Sequence, residues 1–322
     1  MTNVLVTSAG RRVSLLKAFM TAAHARGGRV LAGDLSPLAP TLFVADEARR
    51  LPAIRSDGYI DAVLDIVRRD EIQLVVPTID TELGLLAKHR ERFRAEGCLA
   101  LVSDAMFIGI CADKHATEQA LSLHGIAMPR SWTLNELELG PALPERLFVK
   151  PRRGSASVNT HSANPQTVRQ IARSIPDPIV QEELFGPEIT VDALLDLDGK
   201  PRHFVPRHRI RTMSGESIQG RTLDDPNLKD WVSQVLTAIA ELGAIGPVTL
   251  QAFLTPSGPI LIEINPRFGG GFPLTHAAGG HYPEWILGML ADDPIPAKFD
   301  EYTRGLYMTR YHVELFTKQL PW

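Results

Sequence analysis

The sequence predicts a chain of mixed α/β and α+β class, with a parallel-sheet unit first and antiparallel material after it. Strand and helix patterns alternate through the first hundred residues, the order that builds a parallel sheet, and after Ser103 the pattern changes to two helical stretches and then short strands with a further helix among them. Composition supplies enough material: 322 residues, 44% of them apolar, fill about two or three domain-sized cores. With 34 basic against 37 acidic residues, the charge balance calls for neither nucleic acid nor a membrane surface.

Val4-Leu5-Val6 reads as the first strand, and Leu15, Leu16, Phe19 and Met20 recur at helical spacing directly after it. A second strand runs from Val30 to Asp34, a helix over 59–69 precedes the strand Leu74–Pro77, and a helix over 82–95 precedes Leu99–Val102. The first loop, Thr7 to Arg12, holds one glycine, Gly10, and so lacks the three-glycine fingerprint of dinucleotide sites. Small ligands of such units sit at the carboxyl edge of the sheet, where Asp34, Asp80 and Glu82 fall. For each of these acids, capping of the following helix is the simpler expectation. Cys98 and Cys111 are too few for a disulfide framework, and the N-terminus enters a strand without an apolar leader, so a reducing, cytoplasmic setting is expected.

Residues 105–124 read as two helical stretches around Asp113-Lys114, stopped by Gly125. Leu147–Lys150 is a short strand ended by Pro151. The loop after it, Arg152-Arg-Gly-Ser-Ala-Ser157, exposes backbone amides beside two arginines, a composition that suits phosphate oxygens and equally suits a surface turn. A helix over 165–174, a strand over Ile179–Leu184 and a new strand from Gly186 to Val191 follow.

Near the end, the apolar run Val248–Leu254 and the run Ile260–Arg267 flank a Thr-Pro-Ser-Gly-Pro turn. Symmetric pairing about Ser257 sets Gln251 opposite Glu263, and Asn265 shares the face of Glu263. One carboxylate and two amide oxygens then converge, a small hard-donor set suited to Mg²⁺. A buried hairpin with a polar ladder is the alternative at this point.

Taken in order, Asp113-Lys114, Phe148-Val-Lys-Pro151, Val180-Gln-Glu-Glu-Leu-Phe-Gly-Pro-Glu188, Gln251 and Glu263-Ile-Asn-Pro-Arg267 resemble the ATP-grasp superfamily, over roughly residues 105–290. The unit before them resembles the Rossmann-like pre-ATP-grasp domain of the same proteins. Within the superfamily, Gln251, Glu263, Asn265 and Arg267 are most similar to the carbamoyl-phosphate synthase large subunit. The phrases Thr7–Arg12, Asp34–Pro37 and Pro77–Leu83 resemble single-module synthase-like proteins related to amino-acid ligases such as the pyrrolysine-pathway ligase.

The resemblance implies a pre-ATP-grasp domain over 1–104, a first nucleotide-binding subdomain over 105–185 and a C-terminal subdomain with the metal site over 186–322. It implies ATP with Mg²⁺, or Mn²⁺ in its place. Lys150 and Lys114 match phosphate-binding lysines, with Ser155 in the loop over the phosphates. Glu182, Glu183 and Leu184 match the hinge strand against adenine, and Glu188 matches the acid that receives the ribose hydroxyls. Glu263 and Asn265 match metal ligands, with Gln251 where many members carry an acid, and Arg267 matches the arginine facing the γ-phosphate.

Two departures separate the chain from the synthase. It repeats no motif, so one module implies one phosphorylation. It also carries a basic strand from His203 to Arg211, with Arg207 and Arg209 within it, followed by a Ser214–Ser217 turn and Arg221. That cluster suits an acidic substrate, since guanidinium binds carboxylate and phosphate bidentately; a solvated charged hairpin is the plainer alternative. The expected activity is an ADP-forming carboxylate–amine ligase acting through an acyl-phosphate on a small acidic or amino-acid-like substrate, with Arg267, Lys150 and Arg209 as catalytic cations. Its partners are then a small carboxylate and an amine, and the assembly common in the family is a homodimer. A nucleotide-binding protein without turnover is the alternative, and a dehydrogenase is disfavoured by the missing glycines.

Overall fold

The computed structural model describes residues 1–154, 159–213 and 216–322. Strands β1 (Val4–Thr7), β2 (Val30–Asp34), β3 (Glu47–Arg50), β4 (Leu74–Pro77) and β5 (Leu99–Ala100) form a parallel sheet in the order β3-β2-β1-β4-β5. Alternation along the strands sends side chains to two layers. Val4, Val6, Ala32 and Val76 meet Leu15, Leu16 and Phe19 of α1 (Val13–His24). Leu5, Leu31 and Val75 meet α2 (Tyr59–Arg69), α3 (Asp80–Lys88) and α4 (Arg90–Ala95) through Val63, Leu64, Leu86 and Phe93.

Three features differ from the sequence expectation. The edge strand β3 reads Glu-Ala-Arg-Arg and carries no apolar alternation; its backbone pairing to β2, not its side chains, makes it a strand. The expected helix over 82–95 starts at Asp80 and breaks at His89 (φ −108°, ψ 13°), and Phe93 beyond the break is fully buried. The last strand ends at Ala100 rather than Val102.

Helices α5 (Ala105–Cys111) and α6 (Lys114–Ser122) lead to a four-stranded antiparallel sheet in the order β6-β9-β7-β8, formed by β6 (Ser131–Thr133), β7 (Leu147–Pro151), β8 (His161–Ala163) and β9 (Pro178–Glu182). Asp113 caps α6 by accepting from the His115 and Ala116 amides. Helix α7 (Leu134–Glu138) opens with a Thr133–Glu136 capping box, and α8 (Val168–Arg173) completes a small core with Leu137, Leu147, Val149 and Val180.

The C-terminal sheet has six antiparallel strands in the order β14-β13-β10-β11-β12-β15: β10 (Glu188–Leu195), β11 (Pro201–Met213), β12 (Glu216–Thr222), β13 (Gly246–Thr255), β14 (Gly258–Asn265) and β15 (Tyr307–Thr309). One face carries Ile189, Val191, Ala193, Val248 and Leu250 and packs on Val232, Val235, Leu236 and Ile239 of α9 (Leu228–Glu241). The other face is polar. Glu263, Gln251, Thr190 and Arg207 are direct cross-strand neighbours on it, one from each of four strands. Helices α10 (Phe272–Ala277) and α11 (Tyr282–Leu290) follow β14, and α11 packs against α1, joining this region to the first sheet.

The β13–β14 hairpin reaches its pairing by a path the symmetric expectation does not contain. The turn is tighter, over Pro256 and Ser257, so Thr255 pairs with Gly258. Continued unbroken, that register would oppose Gln251 to Ile262 and turn Glu263 toward α9. A register shift between Gln251 and Ala252 leaves Ile262 as the extra residue, and Gln251 then pairs with Glu263 and Thr249 with Asn265.

Candidate active site

The polar face of the C-terminal sheet, the root of the loop after β7 and the carboxyl edge of the first sheet meet around Glu263. Its carboxylate has no hydrogen bond or ion pair among the described residues, yet its charge reaches Lys114, Lys150 and Cys111. Burial, helped by the nearby Lys114 and partly offset by Glu263, lowers the Lys150 pKa to about 8. Lys114 is lowered too, again chiefly by burial, with Glu263 and Asp113 opposing. Two lysines from different elements thus lie half-buried beside one unpaired carboxylate, an arrangement that leaves cationic capacity for an anionic ligand.

Asn265 is buried, and its Oδ1 accepts from Arg267 Nη2 at 3.1 Å. The same Nη2 donates to Asp80 Oδ2 at 2.5 Å, so the residue expected to cap a helix instead reaches across to the metal-type strand. Gln251 Oε1 accepts from Arg209 Nη1 at 2.8 Å, and Arg209 also pairs with Glu188. Glu263 and Asn265 suit a divalent cation by chemistry: a free carboxylate and an amide oxygen on one strand face, near the Lys114 and Lys150 cations. No group of three or more His, Cys, Asp or Glu side chains among the described residues is arranged to hold a metal, so a cation here rests on mixed carboxylate and amide donors.

The basic strand does not form one cluster. Arg207 is buried and its Nε donates to Asp192 Oδ2 at 3.0 Å, while Thr249 and Thr275 hydroxyls donate to the same carboxylate. A Cβ on Gly271 would lie 2.2 Å from the Arg207 guanidinium carbon, so the loop before α10 passes directly over that side chain and a larger residue there would displace the guanidinium. Arg209 faces the site, and Arg211 lies on the exposed end of β11. The arginines of the loop after β7 are also committed: Arg152 Nε donates to Asp113 Oδ1 at 2.7 Å, and Arg153 lies 3.4 Å from Asp113. Burial works to raise the Asp113 carboxyl, but Arg152 and the α6 amides prevail and hold it low. Lys114 Nζ donates to the Gly154 carbonyl at 2.7 Å, which ties α6 to the root of that loop. Ser155 lies outside the described residues, as do residues 214 and 215 of the turn after the basic strand.

Glu182 ends β9 and binds Arg130, whose amide donates to Oε1 at 3.1 Å; Glu183 accepts from Ser162 Oγ at 2.5 Å. Leu184 follows, half-buried, before the exposed residues 185–187 that lead to Glu188 and β10. At the first sheet's edge, Asp34 accepts from the Gly10 amide at 2.8 Å and from the Ser36 amide at 2.9 Å. Glu82 is fully buried, bonded by Tyr59 and Ser8, and burial raises its carboxyl to about 8, with Asp34 adding and the Thr7 and Ser8 hydroxyls opposing. Sequence reasoning missed the Asp113 clamp and the Asp80 bridge. An Asp directly before a helical Lys signals the first; no local signal exists for the second.

Comparison with known proteins agrees with this geometry. Residues 4–101 match the family described as PylC-like, N-terminal domain, and residues 174–311 match the family described as ATP-grasp in the biosynthetic pathway with Ter operon. A D-alanine–D-alanine ligase of Mycolicibacterium smegmatis is 26% identical over 212 residues, covering 55% of this chain and 57% of the ligase. The chain therefore spans a little over half the length of the curated relatives it matches. Among solved structures, the biotin carboxylase domain of Hydrogenobacter thermophilus 2-oxoglutarate carboxylase, in complex with MgADP, ADP and bicarbonate, superposes with a TM-score of 0.74 at 16% identity, covering 95% of this chain and 73% of that one. An L-amino acid ligase from Bacillus licheniformis gives 0.69 at 18% identity, covering 90% and 74%. N5-carboxyaminoimidazole synthetase from Staphylococcus aureus gives 0.70 at 14% identity, covering 92% and 78%. At these identities the likeness is one of fold.

Proposed function

Because the chain joins a PylC-like N-terminal domain to an ATP-grasp domain, we propose that it is an ATP-dependent carboxylate–amine ligase that releases ADP, acting on a small acidic or amino-acid-like substrate. The observation that carries this reading is the approach of Lys114 and Lys150, from two separate elements, to the unpaired Glu263 carboxylate, with Arg267 bonded to Asn265 on the same strand face. Lys150 and Lys114 hold the phosphates as point charges. Arg267, fixed by Asp80 and Asn265, faces the transferring phosphoryl group, where a positioned cation stabilises developing charge. A divalent cation on Glu263 and Asn265 would supply further neutralisation of the phosphate oxygens. The substrate carboxylate attacks the γ-phosphorus, ADP leaves, and the amine opens the acyl-phosphate with release of phosphate. No side-chain nucleophile is needed. Glu182, Glu183 and Leu184 line the adenine, Glu188 receives the ribose, and Ser155 belongs to the phosphate loop.

The three sheets support units over 1–104, 105–185 and 186–322. In this reading the protein is a cytoplasmic homodimer that uses Mg²⁺, or Mn²⁺, on small molecules without nucleic acid; both cysteines are free, and no helix among the described residues is long and apolar enough to span a membrane. The test is interception: with ATP, the acid and hydroxylamine, hydroxamate and ADP should form in equal amounts. Release of AMP and pyrophosphate, or no hydroxamate from any amino acid or dicarboxylate that stimulates turnover, would overturn the mechanism.

A further inference from the structure

The chain from Arg267 to Gly271, which leads from β14 toward α10, is fixed residue by residue. The Thr249 hydroxyl lies 3.2 Å from the Arg267 carbonyl. Phe268 is 2% exposed and packs edge-on against Phe19 of α1, with ring centroids 5.7 Å apart. Gly269 sits so close to Asp192 and Thr249 that a Cβ there would stand 2.7 Å from a side-chain oxygen of each, and Gly271 crosses the Arg207 guanidinium in the same way. The middle residue, Gly270, is held from the far edge of the sheet. Its carbonyl accepts from Nη2 of Arg310, the residue after β15, whose own amide donates to the Ile218 carbonyl of β12 at 2.9 Å.

We propose that Arg310 is a positioning residue for phosphoryl transfer, which aims Arg267 by fixing the glycine segment that follows it. This rests on the reading of the site as an ATP site with Arg267 facing the transferring phosphoryl group. The linkage is a chain of bonds. Arg267 Nη1 donates to the Phe268 carbonyl at 3.1 Å, so the peptide after Phe268 helps to set the direction of the guanidinium. That peptide enters three successive glycines, whose backbone turns more freely than that of any other residue. Arg310 removes this freedom at its midpoint: with the Gly270 carbonyl held, the Phe268 carbonyl keeps the direction that Arg267 uses. A guanidinium suits the task, because a hydrogen bond from a charged donor is stronger than one between neutral groups.

The test needs no knowledge of the substrates. Aluminium fluoride with MgADP stands in for the transferring phosphoryl group, and calorimetry on the full chain gives the affinity for MgADP with and without it. Arg310→Met should weaken the fluoride complex about tenfold while MgADP alone stays within about twofold of wild type, the pattern of a misaimed rather than a misfolded site. Arg310→Lys, which keeps a charged donor, should recover most of the loss. In a cycle with Arg267→Ala, the double variant should bind the fluoride complex no more weakly than Arg267→Ala alone, because Arg310 acts only through Arg267. Losses that multiply in the double variant would overturn the inference. So would an unchanged fluoride complex in Arg310→Met, an equal loss of MgADP, or a lysine variant no better than methionine, and the ATP-site reading would survive each of these. A wild type that binds MgADP but gains no affinity from fluoride would also overturn it, leaving Arg267 no phosphoryl group to hold. A wild type that binds neither would remove the ATP-site reading together with this one.

Discussion

Arg267, two residues past the end of β14, is bonded to Asp80 at the start of α3, with Nη2 to Oδ2 at 2.5 Å across 187 positions of sequence. The pair ties the carboxyl edge of the first sheet to the face that carries Glu263 and Asn265. Arg267 is 13% exposed, and its Nε is buried with no partner among the described residues, so Asp80, Asn265 and the Phe268 carbonyl, which accepts from Nη1 at 3.1 Å, set its direction. The N-terminal unit thereby shapes the site as well as flanking it.

Arg267→Ala should lower kcat by about 10²–10³-fold, the range for removing one positioned charge from a transition state. Asp80→Asn keeps an acceptor for Nη2 but loses the charge, and should cost less than about tenfold. Coupled measurement of ADP release on both variants separates the roles. Equal losses would show that Asp80 touches the chemistry directly rather than orienting the arginine.

Local pattern made much of the fold legible. β1, α2 and β4 announce themselves by apolar periodicity, and α6 by the Asp113 cap and the Gly125 stop (φ +72°). The pairing of Gln251 with Glu263 was also readable, although the turn and the Ile262 bulge that produce it were not. What stayed hidden are contacts between distant segments. Nothing near Arg209 in sequence shows that Glu188 and Gln251 flank it, because that follows from the strand order β13-β10-β11. Likewise the burial of Arg207 depends on Asp192 and on a glycine loop more than sixty residues later. Charge alone made Arg207, Arg209 and Arg211 look alike; their sheet positions assign them different partners.

Glu263→Gln removes the one carboxylate of the proposed donor pair and keeps its shape. Turnover should fall by at least about 10²-fold, while the thermal unfolding midpoint stays close to wild type, since this carboxylate has no bonding partner among the described residues to lose. Near-native ADP release from a folded variant would place the cation elsewhere.

With Lys150 as the proposed phosphate ligand, nucleotide affinity should depend on pH. Its pKa in the free protein is about 8, below the ordinary lysine range, and bound phosphates would raise it. Binding then takes up a proton wherever the free form has lost it, so affinity is flat well below pH 8 and weakens above it, by up to about tenfold per pH unit. Calorimetry at pH 8.5 in buffers of different ionisation heat should register proton uptake in the wild type. The uptake should vanish in Lys150→Met, together with roughly ten- to a hundredfold of affinity. Unchanged uptake in that variant would assign the proton to another group.

Glu82 links stability to pH with the opposite kind of group. Its carboxyl ionises at about 8 in the fold, against 4.5 as the ordinary value, because the side chain is fully buried. Between those two values the folded protein holds a proton that the unfolded chain has released, so this group's contribution to stability is greatest below 4.5 and declines as pH rises toward 8. The slope from this one group is at most about 1.4 kcal/mol per pH unit. Glu82→Gln keeps an acceptor for the Tyr59 and Ser8 hydroxyls and cannot ionise, so it should flatten that decline and leave the variant more stable than wild type at pH 8. Denaturant midpoints measured at pH 5 and pH 8 decide the matter. If the wild type loses no more stability than Glu82→Gln over that interval, the buried carboxyl is ionised in the fold and the desolvation argument fails.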